Sequence, residues 1–134
     1  MPRATSAIRS VPEAWSGELR HLHGRMNEIA VSLDGATRET YERLRPGGSF
    51  EVVCANLAHL AGARRRGELD GLAVNMVVQA CNFREMPDLV RMCLGWGADQ
   101  VRFYKLRQWG TYAPADFLAR DVVSPTHPAH GELL

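Results

Sequence analysis

The segment Ile29-Ala-Val-Ser-Leu-Asp-Gly35, running on into Ala-Thr-Arg-Glu-Thr-Tyr-Glu-Arg-Leu-Arg45, leaves few folds open to this chain. An apolar run ends in Ser-Leu-Asp, turns on a glycine and opens into a charged helix. A buried parallel strand delivers a polar end to a binding site in this way. The pattern returns twice. Leu72-Ala-Val-Asn-Met-Val-Val-Gln79 reads as a second strand, apolar on both faces, and Val101-Arg-Phe-Tyr-Lys-Leu106 as a third. Strands that alternate with helices are expected to lie parallel, joined by right-handed crossovers. Doubly apolar strands call for cover on both sides, and a free-standing sheet of this size leaves a face or an edge open. The expected fold class is therefore α/β: a partial (β/α) barrel of about three parallel strands alternating with helices, a fragment of a larger barrel.

The helices follow from spacing and caps. Pro12-Glu13-Ala14 is a good helix start, and Leu19, Leu22 and Met26 extend helical spacing to about residue 27. Thr37 can cap a second helix, which breaks at Pro46-Gly47-Gly48. Ser49 caps its successor, with Phe50, Val53, Leu57 and Leu60 on one apolar face. Arg64-Arg65-Arg66 closes that helix as a solvated, positively charged turn. The next helix runs from Glu85 to Gly95, with Met86, Leu89, Val90 and Cys93 inward. This divides the chain into residues 1–11, a disordered or remnant N-terminus; 12–110, the half-barrel; and 111–134, an irregular tail with a short helix near Ala115 to Arg120.

The 134 residues make one domain or a piece of one. A net charge of +1 gives no case for nucleic acid or an anionic membrane surface. No apolar run approaches spanning length, and the first residues lack the apolar centre of a signal peptide, so a cytoplasmic location is expected. Cys54, Cys81 and Cys93 are too widely spaced for a local metal or cluster motif and read as free thiols. The five histidines carry no motif context; His127 and His130 flank Pro128 in the tail, where the readings are metal ligation or, the one preferred, a solvated loop. Trp15, Trp96 and Trp109 read as packing residues.

In such sheets ligands bind beyond the carboxyl ends of the strands. The candidates there are Ser32 and Asp34, then Asn75, Gln79 and Asn82, then Lys105, Leu106 and Arg107. Alternation places Ser32 with Asp34, and Asn75 with Gln79, on shared faces. Buried polar groups need partners, and a bound polar ligand would supply them. The alternative is mutual hydrogen bonding, with Asp34 bonding backbone in the turn at Gly35. Arg45, at the helix break, either forms a bidentate pair with a carboxylate or is a surface residue.

Val31-Ser-Leu-Asp-Gly35, Thr40-Tyr-Glu-Arg-Leu-Arg45 and Gly47-Gly-Ser-Phe50 resemble the fourth strand and following helix of radical S-adenosylmethionine (SAM) enzymes. Val74-Asn-Met-Val-Val-Gln79 with Asn82-Phe-Arg-Glu-Met-Pro87 is similar to their fifth strand and its loop, and Gly97-Ala-Asp-Gln-Val-Arg-Phe103 to the approach to the sixth. Pro125-Thr-His-Pro128 is similar to the lead into a C-terminal SPASM-type extension. The resemblance implies a partial barrel holding a [4Fe-4S] cluster and SAM, reductive SAM cleavage, and hydrogen abstraction from a small-molecule or peptide substrate. By the same resemblance Ser32 and Asp34 lie at the SAM site, with Ser32 at its amino-acid end. Arg45 pairs with its carboxylate, Asn75 sits near the ribose or substrate, and Leu106 packs near the adenine.

The family's CxxxCxxC segment and the glycine-rich segment after its second strand are not among these residues, nor are the auxiliary-cluster cysteines of a SPASM extension. The expectation is therefore a fragment that holds no cluster and is inactive alone. Two other readings stand beside it. One is a non-catalytic α/β binding module, or the subunit of a split barrel, that associates through exposed sheet edges with itself or with a missing N-terminal half. The other, a generic nucleotide binder, is weakened by the lack of a glycine-rich phosphate loop.

Overall fold

Three apolar segments form strands, and each is followed by a turn that sends the chain back along one side of the sheet. A computed structural model of the protein describes residues 11–134. The first eleven-residue segment of the sequence reading thus lies outside the described residues, apart from Val11. The elements in order are α1 (Val11–Ser16), β1 (Met26–Ser32), α2 (Arg38–Leu44), α3 (Phe50–Arg65), β2 (Leu69–Val78), α4 (Met86–Trp96), β3 (Gln100–Lys105), α5 (Pro114–Arg120) and α6 (His130–Leu133). Short 3-10 turns occupy Arg20–Leu22 and Phe83–Glu85.

The sheet has the order β1-β2-β3, and both pairings are parallel. It is an α/β fold with an open sheet: β1 and β3 are its edges, and no barrel closes. Its helices do not cover both faces. Ile29, Val31 and Leu33 join Leu72, Val74 and Met76 in one apolar cluster with Trp15 of α1, Tyr41 of α2, Leu57 and Leu60 of α3, and Leu89 and Cys93 of α4. Strand alternation then puts Glu28, Ala30 and Ser32, Gly71, Ala73, Asn75 and Val77, and Arg102 and Tyr104 on the opposite face. That face is small or polar along most of its length, which corrects the reading of β2 as apolar on both sides.

Among the described residues one ion pair braces the open face. Arg102 donates to both carboxylate oxygens of Glu28, at 2.8 and 2.7 Å. Glu28 is level with Gly71 and Arg102 with Asn75, so the pair spans the central strand over Ala73.

The first helix is shorter than its apolar spacing predicts. It ends at Ser16, and the chain reaches β1 through the 3-10 turn and Gly24, whose φ is +70°. Trp15, in the last turn of this helix, fills the core, and its Nε1 donates to Glu68 at 2.7 Å. The caps at Thr37 and Ser49 are present, with side chains accepting from Thr40 N and Val52 N. The triple arginine is bonded rather than merely solvated. Arg64 pairs with Asp99, Arg65 donates to the Trp96 carbonyl, and Arg66 pairs with Glu68.

The tail forms α5 and α6. Val122 is fully buried with Val78 and Phe83, against Ala129 and Leu133. His127 and His130, expected to be solvated, donate to the Ala119 and Val122 carbonyls. Among the described residues no helix is long and apolar enough to cross a membrane.

Candidate functional site at the carboxyl ends of the strands

The turn after β1 is built by contacts from the loop after β2. Gly35 is required there, since a Cβ would stand 2.7 Å from the Tyr41 backbone nitrogen. Asp34 is buried, and its Oδ1 accepts from the Val77 backbone N–H at 2.9 Å. Its Oδ2 accepts from Arg45 Nε at 3.0 Å and lies 3.0 Å from Arg45 Nη2. Asp34 therefore bonds backbone, but on the neighbouring strand rather than in its own turn, and it is the carboxylate that Arg45 finds.

Asn82 is fully buried and completes this tie. Its Nδ2 donates to the carbonyls of Asp34 and Val77, both at 2.9 Å, and its Oδ1 accepts from Gln79 N at 2.7 Å. Glu85 is the residue that the sequence reading did not single out. Its carboxylate accepts from Ala36 N, Thr37 Oγ1 and Thr40 Oγ1, each at 2.8 Å. It sits at the start of α2, where a negative charge also meets the positive end of the helix. No local pattern announces it, because its partners lie 45 to 49 residues away.

Ser32 and Asn75 are register partners on the open face. Ser32 is exposed, while Asn75 Oδ1 is buried with no hydrogen-bond partner. A buried acceptor without a donor costs roughly 1–3 kcal/mol. Gln79 points elsewhere, its Oε1 accepting from Arg120 Nη1 at 3.2 Å. Leu106, just past β3, is buried and lines an open hollow with Lys105 and Arg107. The structure thus brings Ser32 beside Asn75 and Asp34 against Arg45. Leu106 belongs to the far side of the rim, next to Tyr104, which is the register partner of Val77.

The cysteines are placed apart. Cys54 lies on α3 and Cys93 on α4, and burial pushes both thiols up, Cys93 to about 11. Cys81 lies in the loop after β2, beside Arg43 and Arg120. A cluster needs thiolates converging on one point, and protonated core thiols on separate elements do not fit one. Among the described residues no three His, Cys, Asp or Glu side chains group to hold a metal ion.

The chain is similar over most of its length to a mycofactocin maturase. It is 26% identical over 125 residues to mycofactocin maturase MftC of Mycobacterium tuberculosis, in both strain CDC 1551 / Oshkosh and strain ATCC 25618 / H37Rv. The matched stretch is 93% of this chain and 28% of those relatives, so the chain spans little more than a quarter of their length. The likeness supports the radical SAM resemblance at the level of the family. No protein-family profile matches the chain, and no solved structure matches it.

Proposed function

We propose that these residues form the SAM-binding side of a radical SAM half-barrel, with its SPASM-type continuation leading on from Pro125–Pro128, and that the 134-residue chain is inactive alone. The observation that carries this reading is the one-faced sheet. Its helices lie on one side, and the opposite face presents Ser32 and the unpartnered Asn75 Oδ1 at the strand ends. A ligand with N–H or O–H donors fits that acceptor.

Ser32 would hold the amino-acid end of SAM and Asn75 a donor of its ribose or of the substrate. Asp34 orients Arg45, whose Nη1 would donate to a ligand carboxylate alongside Asp34. Leu106 gives an apolar surface for the adenine. When bound beside a reduced [4Fe-4S] cluster, SAM supplies a radical that abstracts hydrogen. The thiols of this chain do not fit such a cluster, so its residues bind and orient SAM but do not reduce it.

Calorimetric titration of the purified chain with SAM tests the binding. Saturable binding that weakens at least about threefold in Asn75→Ala, roughly the loss of one modest hydrogen bond, is expected. Absence of binding at millimolar SAM would overturn the reading. Anaerobic iron–sulfide reconstitution tests the inactivity, and a stoichiometric cluster that cleaves SAM would refute it. Association through the edges of β1 and β3, with a cytoplasmic split partner or a second copy, is the competing proposal, which sedimentation over a range of concentrations addresses.

A further inference from the structure

We propose that the hollow beyond β3 is a binding subsite for a planar aromatic group that carries its own negative charge. The hollow is about 440 Å³ and open to solvent. Three aromatic rings, Tyr104, Trp109 and Tyr112, line it together with Lys105 and Arg107, and Leu106 contributes an apolar wall. No carboxylate lies in its lining among the described residues.

Its aromatic side chains are not packing residues. Trp109 is 79% exposed and Tyr104 is 47% exposed, in contrast to Trp15 at 1%. An exposed indole grouped with two further rings offers a surface on which a partner ring can stack, because stacking and area burial both reward its cover. The turn that presents it is braced. Gln108 Nε2 donates to the Tyr112 carbonyl and its Oε1 accepts from Gly110 N, both at 3.1 Å, while Gly110 supplies the positive φ of +81°. The Arg120 guanidinium lies 4.5 Å from the Tyr112 ring centroid and holds that ring from behind. The turn and the Tyr112 ring are thus set in place before any ligand arrives, which limits the entropy lost on binding.

The cations decide the ligand's charge. Lys105 Nζ lies 3.9 Å from Asp121 Oδ2, so part of its charge is met. Arg107 makes no ion pair among the described residues. A neutral purine or phenyl ring would need neither, whereas a ring bearing a carboxylate or phosphate would stack on Trp109 and meet the Arg107 fork. The inference goes beyond the SAM site proposed above. It rests on different residues except Leu106, and it assigns an anion that the resemblance does not.

The test follows the indole N–H signal of Trp109 in nitrogen-15 NMR, assigned by Trp109→Phe, during titration with benzoate, phenyl phosphate, benzamide and acetate. Benzoate and phenyl phosphate are expected to give saturable shifts with Kd about tenfold below benzamide and acetate, the worth of one charge-assisted hydrogen bond. Their ratio distinguishes the carboxylate from the phosphate source. Arg107→Gln should remove that advantage and leave benzamide unchanged, and Asn75→Ala should leave all four probes unchanged. Equal binding of benzoate and benzamide, or no saturable shift with any probe, would overturn the proposal. Binding of the charged probes by a chain that fails to bind SAM would sink only the SAM reading.

Discussion

Asp34 is the residue whose removal most directly tests how the rim is assembled. Its Oδ1 ties the end of β1 to the Val77 N–H of β2, and its Oδ2 pairs with Arg45. Asp34→Ala deletes both. A hydrogen bond to a charged acceptor is worth roughly 1.5–3 kcal/mol when its donor is left stranded. The Arg45 side chain is 43% exposed, which limits the ion pair to about 0.5 kcal/mol. The expected loss is therefore about 2–3 kcal/mol, with an unchanged denaturant slope in urea unfolding. Asp34→Asn keeps a carbonyl oxygen for Val77 N–H and gives up only the charge, so it should cost about 1 kcal/mol or less. Arg45→Ala should match it. If Asn proved as costly as Ala, or Ala cost less than about 1 kcal/mol, the tie between the strands would not be what Asp34 contributes.

Three further outcomes follow from the packing and the titrating groups. Leu57, fully buried between α3 and the sheet, should cost about 3 kcal/mol as Leu57→Ala in the same urea assay. Glu68 is held at about 2 by Arg66 first and by Trp15 next, so its folded pKa lies below its unfolded one. The stability it adds is complete above about 4.5 and is lost as pH falls toward 2, and unfolding from pH 5 to 2 should be less steep in Glu68→Gln. Cys93, with its thiol pushed to about 11, should resist a thiol reagent at pH 8 in the native protein and react once unfolded, as read by mass spectrometry of labelled peptides.

The strands were legible because each is a run of apolar residues closed by a turn. Even so, β1 begins at Met26 and β2 at Leu69, a few residues before the apolar runs that announce them. Those early residues pair by backbone, as Met26 does with Leu69, and backbone pairing leaves little trace in side-chain chemistry. The caps at Thr37 and Ser49 were legible because a cap is a local device. The length of α1 was not, since the apolar spacing of Leu19 and Leu22 continues past a helix that Trp15 has already anchored. At the site, strand alternation placed Ser32 next to Asn75. Nothing local could show that Asp34 bonds across to Val77, or that Glu85 returns to Thr37 and Thr40. Trp109 was misread as a packing residue because an aromatic in a turn looks the same in sequence whether it is covered or bare.

The Glu28–Arg102 pair has a consequence for the shape of the sheet. A three-stranded sheet without closure has no neighbour to set the distance between its outer strands. Here one ion pair fixes that span from inside, level with Ala73. Beyond it, among the described residues, no side-chain bond joins β1 directly to β3: Ser32 is level with Asn75 and Arg102, and Tyr104 lies one step further on, level with Val77. The outer strands are thus held at one fixed span where Glu28 meets Arg102, and past that point their separation is left to the backbone pairing with β2 alone.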